Sequence, residues 1–573
     1  MEHIKRYQAW RDNSSFDEAT RAELLAIAEN DDEIQERFHQ DLEFGTGGLR
    51  GILGVGTNRM NIYTVRRASQ GLADYILANS KDGKKRGVVV SFDSRKFSRE
   101  FAFETALIMV QNGIRAYVFS ELRPTPQLSF AIRKLNCIAG VMITASHNPP
   151  EYNGYKAYWE DGGQFVSPQD TDVIAYVNKI DDFGALKAAN QDEAIKSGML
   201  KILDESIDDE YISAVLKQSL NTNIIKNMAD DFKIVYTPLN GCGNKPVRQA
   251  LEKAGFKHVY VVPEQENPDP NFSTLTYPNP EDPAVFALGI KIAKDKNADI
   301  IAATDPDADR VGVMVKNDLG EYQLLSGNEA GILLAEYILS QSKLAPNSAV
   351  VSTIVSTKLT AEIARAYNTA YYDVLTGFKY IAEKIRIWEQ NDVHSFVFGF
   401  EESYGYLAGT HARDKDAIVA TMLLCEIAAY YKSREMSVFD GLNEIYQKYG
   451  YFRENIKSFT LKGLDGLTKI KQTMARLREN PPKSLNNINL VESRDYKTSI
   501  VKTFADNTEN KMNMPVSDVL YYVLDDGSWF CVRPSGTEPK IKTYIGVSAE
   551  SAAGADVRLD ALTKAVLDLL GLE

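Results

Sequence analysis

Three times along the chain, apolar runs of strand length alternate with helical patterns, and each time a later run empties into a polar loop. In the first set, residues 88–92 read as a strand, 99–112 as a helix ending at Gly113, and 116–119 as a strand. Residues 138–143 then stop at Thr144-Ala145-Ser146-His147-Asn148-Pro149-Pro150, where proline ends the ladder and a rigid loop begins. The second set runs through a strand at 233–236, a helix at 245–254 with Gly255 just past it, and a strand at 259–262. It closes with residues 298–303 running into Thr304-Asp305. The third has a strand at 349–352, a helix at 358–367 and a strand at 370–374, and residues 396–400 then lead into Glu401-Glu402. Continuous rather than alternating apolar runs predict parallel strands covered on both faces. Three α/β modules, each giving one loop to a shared cleft, fit this pattern better than one large sheet.

The flanks are different in character. The first forty residues read as helices, with Ser15 and Glu18 at capping-box spacing ahead of Leu24, Leu25, Ile27 and Ala28. Phe44-Gly45-Thr46-Gly47-Gly48-Leu49-Arg50-Gly51 is too glycine-rich for a helix or a strand interior. It reads equally as a flexible turn or as an anion-binding loop to which Arg50 adds a fork of donors. After about residue 455 shorter, more alternating strands (458–461, 519–523) and turns such as Asp525-Asp526-Gly527-Ser528 predict a smaller antiparallel domain. The expected fold class is therefore α/β: three similar α/β domains with mixed, mostly parallel sheets, plus a smaller C-terminal α+β domain, around a central cleft. The expected boundaries are 1–215, 216–325, 326–455 and 456–573, a reasonable division of 573 residues.

Composition narrows the function classes. A formal net charge of −13 argues against non-specific nucleic-acid binding, which needs a basic surface. It leaves room for a phosphorylated small molecule, since local arginines and a metal can reverse the sign within a cleft. Cys137, Cys242, Cys425 and Cys531 are scattered without zinc spacing, as expected of reduced thiols in a cytoplasmic protein. The N-terminus lacks the apolar core of a signal peptide, and the most apolar helical stretch, 417–431, carries Glu426 and is too short to span a bilayer.

The loops carry distinct chemistries. Asp305-Pro306-Asp307-Ala308-Asp309-Arg310 sets three carboxylates at alternate positions, which repel one another unless a cation sits among them. Oxygen ligands in that number suit Mg²⁺. An EF-hand fails, because Arg310 and Lys316 stand where it needs glycine and glutamate. A phosphatase with an aspartyl nucleophile at Asp305 also starts from such a loop and stays open. Arg533-Pro534-Ser535-Gly536-Thr537-Glu538 can hold a phosphate through a guanidinium fork, hydroxyls and main-chain N–H groups, or can be an ordinary turn. Glu401-Glu402-Ser403-Tyr404 offers acceptors and a hydroxyl suited to sugar hydroxyls. Downstream, His411-Ala412-Arg413-Asp414-Lys415-Asp416 adds cations, with His411 by itself reading as a surface histidine.

Together, and in this order, Thr144-Ala145-Ser146-His147-Asn148-Pro149, Asp305-x-Asp307-x-Asp309-Arg310, Glu401-Glu402-Ser403 and Arg533-Pro534-Ser535-Gly536-Thr537-Glu538 resemble the loops of the α-D-phosphohexomutase superfamily. Phe44-Gly45-Thr46-x-Gly48-Leu49-Arg50 and Asp93-Ser94-Arg95 also match its patterns. Tyr404 and Tyr406 depart from the family's commoner loop, in which Gly and then His follow the serine, while Gly47 and the run Thr276-Tyr277-Pro278-Asn279-Pro280-Glu281 look like the branch that includes phosphopentomutases and glucose-1,6-bisphosphate synthases. The resemblance implies a phosphoglucomutase-type reaction on a small phosphosugar, with glucose 1,6-bisphosphate as intermediate; mannose or pentose phosphates are the alternative substrates, and aspartyl phosphatase chemistry is a distant one. It implies a phosphoserine at Ser146, and Mg²⁺ held by Ser146, Asp305, Asp307 and Asp309. His147, Arg50 and Arg310 would serve the transferring phosphoryl. Lys156 falls where the family has a lysine in proton transfer, and a cation-rich site would lower its pKa. Glu401, Ser403 and Lys415 would meet the sugar, and Arg533, Ser535, Gly536 and Thr537 its other phosphate. The implied protein is a cytoplasmic monomer or small homo-oligomer, with no nucleic-acid or membrane partner.

Overall fold

The computed structural model describes residues 2–45, 47–182, 184–461, 463–534 and 540–571. The chain forms two compact units, Met1–Ala349 with Phe378–Phe439, and Val350–Gly377 with Asp440–Glu573.

The first unit opens with helices Glu2–Arg11, Glu18–Ala26 and Asp31–Phe38, whose Tyr7, Trp10, Leu24, Ile34 and Phe38 pack with Phe16 and Tyr63. The second helix is capped by Asp17, which accepts from the Thr20 N–H at 2.8 Å, and not by Ser15. Ser15 turns its hydroxyl to Asn13 Oδ1 at 2.5 Å instead, a local bond that competes with capping.

A six-stranded sheet follows, in the order Gly48–Ile52, Tyr152–Trp159, Ala139–Ile143, Val88–Phe92, Ala116–Phe119, Leu200–Leu203. Its centre is parallel and buried on both faces. Val88, Val90, Val141 and Ile143 face one core, and Val89 and Met142 face another that contains Leu128 and Ile132. Burial on both sides is why these strands read as unbroken apolar runs, each large side chain contributing about 1.5–3 kcal/mol. A five-stranded sheet repeats the plan, with Lys233–Thr237 parallel to both Ile300–Thr304 and His258–Val261. In the third set Ser395–Glu401 pairs antiparallel with Gly405–Ala408, and helix Ala417–Ser433 lies buried.

The sheets are mixed for one shared reason. Each strand that leads to a polar loop is followed at once by an antiparallel return: Ala139–Ile143 by Tyr152–Trp159, Ile300–Thr304 by Val311–Lys316, and Ser395–Glu401 by Gly405–Ala408. The polar loops are therefore hairpin tips, which fixes both of their ends. The glycine-rich stretch likewise contains a strand, Gly48–Ile52, contrary to expectation. Gly48 has φ +130°, and a Cβ there would lie 1.7 Å from the Tyr155 carbonyl oxygen. Glycine is what lets this edge strand close onto its neighbour.

The second unit holds helix Leu359–Ala366 and strand Ala370–Val374, followed by an eight-stranded antiparallel sheet. Leu520, Tyr522, Phe530, Val532, Ile541 and Ile545 build its core with Leu562 and Val566 of helix Ala552–Leu570. This is the smaller C-terminal α+β domain that the alternating pattern predicts.

Candidate active site

The serine loop is held from beneath by groups that sequence reading left without a role. Asp93 Oδ2 accepts from Thr144 Oγ1 at 2.6 Å, and Asp93 Oδ1 from Ser98 Oγ at 2.7 Å and the Arg95 N–H at 2.9 Å. The Arg95 guanidinium donates to the carbonyls of Ser146 (2.6 Å), Pro149 (2.8 Å), Tyr152 (3.1 Å) and Asn148. Burial pushes the Asp93 carboxyl up and the Arg95 guanidinium down from their ordinary values. Held this way, Ser146 sits at φ 52°, in the left-handed region where a non-glycine residue costs about 1–3 kcal/mol.

That strained serine meets the acidic loop directly. Ser146 Oγ donates to Asp305 Oδ2 at 2.7 Å, and His147 Nδ1 lies 3.2 Å from the same hydroxyl oxygen. Burial, then the nearby Arg310 and Arg50 charges, hold His147 well below the usual histidine range. Arg50, on its edge strand, donates to Asn148 Oδ1 at 3.1 Å.

Asp305, Asp307 and Asp309 are buried, and their candidate ligand oxygens lie within 4.8 Å of one another. Asp305 Oδ1 accepts from the N–H groups of Asp309 (3.1 Å) and Arg310 (3.0 Å). Asp307 Oδ2 accepts from Thr125 Oγ1 and Lys156 Nζ, both at 2.6 Å. Asp309 Oδ2 takes Lys156 Nζ at 2.9 Å and Lys415 Nζ at 3.2 Å. Asp307 Oδ1 and Asp309 Oδ1 are buried without a hydrogen-bond partner. An orphaned buried carboxylate oxygen costs at least about 1–3 kcal/mol, so two in one carboxylate cluster fit a hard cation that takes oxygen ligands.

The electrostatics correct one expectation. Burial alone lowers Lys156, but Asp307, Asp309 and Asp414 more than reverse it, so its ammonium is raised above the ordinary lysine value. The sequence shows cations near this lysine; the fold puts two carboxylates on it. Lys415 is raised likewise: burial opposes its charge, and Asp309 and Asp414 outweigh that. Asp305 is pushed well up by burial and by Asp307 and Asp309. Asp309 goes down, because Lys156 and Lys415 outweigh its burial.

The sugar-type loop reaches the same place. Glu401 ends its strand opposite Gly405 and is 8% exposed. Ser403 Oγ donates to Glu402 Oε1 at 3.3 Å. The carbonyl of Tyr404, at φ 61°, accepts from the Val311 N–H at 3.1 Å, tying this loop to the strand after Arg310. Gly405 leaves space for Lys415, whose Cδ would lie 2.1 Å from a Cβ there. His411 is not a surface residue: its side chain is 5% exposed, and its Nε2 lies 2.7 Å from Asp416 Oδ2. Asp416 caps helix Ala417–Ser433, so that histidine is paired inside the fold.

Ser146, His147, Lys156, Arg50, Arg310, Asp305, Asp307, Asp309, Glu401, Ser403 and Lys415 all belong to the first unit. Arg533 belongs to the second, on strand Trp529–Pro534 opposite Lys542, while Ser535, Gly536, Thr537 and Glu538 lie outside the described residues. Sequence reading missed Thr125 and Asp414. Thr125 stands between two prolines, a rigid setting that could have marked it. Asp414 accepts from Tyr158 Oη at 2.8 Å and Lys415 Nζ at 3.0 Å, partners that only the fold brings together.

A buried acid trio beside a strained serine, with arginines and lysines around them, is equipment for phosphoryl transfer. Family models agree along the chain: phosphoglucomutase/phosphomannomutase alpha/beta/alpha domains I, II and III match residues 41–183, 209–320 and 326–449, and the C-terminal domain matches 484–563. The chain is 36% identical over 518 residues to phosphoglucomutase of Staphylococcus haemolyticus (strain JCSC1435), covering 90% of this chain and 92% of that one. It is 35% identical over 534 residues to phosphoglucomutase of Staphylococcus aureus (strain MSSA476), covering 93% and 94%. In fold it is similar to the open form of parafusin, a phosphoglucomutase of Paramecium, with TM-score 0.69 at 17% identity over 93% of this chain and 95% of that one. A phosphoglucomutase/phosphomannomutase family protein of Burkholderia thailandensis gives TM-score 0.64 at 18% identity over 92% and 97%. The chain belongs to the phosphoglucomutase/phosphomannomutase family of the α-D-phosphohexomutase superfamily. Among the described residues no helix is long and apolar enough to cross a membrane.

Proposed function

We propose that this protein is a phosphosugar mutase that works as a phosphoglucomutase, interconverting α-D-glucose 1-phosphate and glucose 6-phosphate. In this reading Ser146 carries a phosphoryl group and glucose 1,6-bisphosphate is the intermediate. The observation that carries it is Ser146 Oγ held 2.7 Å from Asp305 at the edge of the buried acid trio.

Asp305, Asp307 and Asp309, with an oxygen on Ser146, would hold Mg²⁺, the two orphaned carboxylate oxygens being the natural ligands. When bound, the ion supplies charge neutralisation for the phosphoryl group. The chain's residues do the rest. A sugar hydroxyl attacks the phosphorus, the bond to Ser146 Oγ breaks, and the hydroxyl proton ends on the freed serine oxygen. His147, 3.2 Å from Ser146 Oγ, is the group placed to serve that leaving oxygen. Lys156, 2.6 Å from Asp307 and 2.9 Å from Asp309, sits against the acid trio, and the family resemblance gives it a part in proton transfer there. Arg50 and Arg310 stabilise the charge on the moving group. Glu401, Ser403 and Lys415 orient the sugar. Arg533 with Ser535, Gly536 and Thr537 would bind the phosphate that is not being transferred, a reading that rests on their chemistry. Phosphoryl return to Ser146 from the other end of the turned bisphosphate completes the cycle. Domain boundaries near residues 215, 325 and 455 would give each chemistry its own domain. The four buried, scattered cysteines suit a cytoplasmic setting.

The aspartyl phosphatase alternative is disfavoured because Asp305 Oδ2 is turned to the hydroxyl of Ser146 at 2.7 Å, a second nucleophile for which such a phosphatase has no use. The deciding experiment compares kcat/KM for glucose 1-phosphate, mannose 1-phosphate and ribose 1-phosphate. Glucose is expected to lead; a preference for ribose would reassign the sugar, and phosphate release without isomerisation would reject the mutase.

Arg533→Ala should lose roughly 1.5–3 kcal/mol of substrate binding, partly expressed in kcat because remote binding energy orients the reacting end. Bisphosphate should also escape before turning over and be seen by ³¹P NMR. Wild-type kinetics with no bisphosphate release would remove the last domain from the phosphate's path.

A further inference from the structure

Arg310 has several carboxylates to choose from. Asp309, Asp305, Glu401 and Glu281 all act on its charge, and its Nε already lies 3.9 Å from Asp309 Oδ1. Left to itself, a flexible guanidinium in this field would fold onto Asp309 and compete for oxygens that the cation site needs. Instead its Nη1 donates to Glu281 Oε1 at 2.5 Å. Arg310 Nε is buried and has no hydrogen-bond partner.

Glu281 is itself on a built turn. The Glu281 N–H donates to Asn279 Oδ1 at 3.2 Å, and the Asp282 N–H to the Asn279 carbonyl at 3.0 Å. Asp282 then caps the short helix Pro283–Phe286. The turn lies directly against the strand that follows Arg310: a Cβ on Gly312 would come within 2.3 Å of the Pro280 carbonyl oxygen. Main chain pressed on main chain fixes the backbone from which Glu281 reaches Arg310.

We propose that Glu281 is a positioning residue for Arg310, holding the guanidinium off the acid trio so that its unsatisfied Nε stays available to the transferring phosphoryl. The inference rests on the mutase reading above for what Arg310 does, but the tether itself is independent of it. Because Glu281 acts through Arg310, removing it affects the transfer step more than ground-state binding.

The test is a double-mutant cycle on the full chain. Glu281→Ala should lower kcat about 10- to 100-fold, the cost of a reacting group misplaced by about an ångström, with KM changed little. Glu281→Gln, isosteric but uncharged, should fall between it and wild type, and takes its place if the alanine chain does not fold. In an Arg310→Ala background Glu281→Ala should cost nothing further, an outcome that a merely structural role for the turn would not give. A second readout needs no turnover: phenylglyoxal adduct at Arg310, followed by peptide mass spectrometry, should form faster in Glu281→Ala. Wild-type kcat in Glu281→Ala, losses that add to those of Arg310→Ala, or an unchanged adduct rate would each overturn the proposal. Wild-type protein inactive on every phosphosugar would instead reject the mutase reading, while the adduct rate still decides the tether.

Discussion

Ser146→Ala should abolish mutase turnover, by about four orders of magnitude or more, while the protein stays folded. The hydroxyl makes one strong contact, to Asp305 Oδ2 at 2.7 Å. The loop around it is held by other groups: Thr144 Oγ1 accepts from the Ser146 N–H at 2.8 Å, and Arg95 grips four carbonyls. Alanine can hold the same left-handed φ at a similar cost, so melting temperature should shift little. Intact-mass spectrometry should find one labile phosphate on wild type and none on the variant. Near-normal activity in Ser146→Ala would sink the phosphoserine mechanism and move attention to Asp305 as nucleophile.

The part of this site that was legible in the sequence is the part carried by composition over a few adjacent residues. Asp305, Asp307 and Asp309 sit at alternate positions directly behind an apolar run, and like charges packed behind a buried strand announce a cation. The alternation of strands and helices was equally visible, because burial on both faces writes itself as continuous apolar runs such as Val88–Phe92.

Long-range partners were not legible. Thr125 and Lys156 meet on one oxygen of Asp307, though they lie far apart in sequence from it and from each other. No local pattern encodes that meeting. The direction of the Lys156 shift was misread for the same reason: its carboxylate neighbours come from another sheet. The returning strands also escaped notice. Tyr152–Trp159 begins one residue after two prolines, and the edge strand Gly48–Ile52 carries glycine where a strand is usually weakened. His411 looked like a surface residue because its partner Asp416 acts as a helix cap, a role invisible until the helix start is placed.

Asp307→Asn should weaken Mg²⁺ binding about 10- to 100-fold, or about 1.4–2.8 kcal/mol, and depress kcat, with partial recovery at high metal concentration. Asp307 has one oxygen committed to two donors, Thr125 Oγ1 and Lys156 Nζ, and the other buried with none. An asparagine must place its single carbonyl oxygen on one side. If the oxygen stays with Thr125 and Lys156, the amide N–H₂ faces the cation site and repels the ion. If the amide flips, Lys156 loses an acceptor and keeps only Asp309 among the trio. Either way the trio loses a charge that the cation would balance, while the packing of a nearly isosteric side chain is kept. Calorimetric titration of Mg²⁺ into wild type and variant measures the binding change, and activity against metal concentration measures the recovery. Wild type stripped with EDTA should be inactive until metal is restored. Full activity after stripping would mean that Lys156, Lys415 and Arg310 balance the three aspartates and that no metal works there, and an Asp307→Asn chain that binds Mg²⁺ as wild type does would remove Asp307 from the ligands.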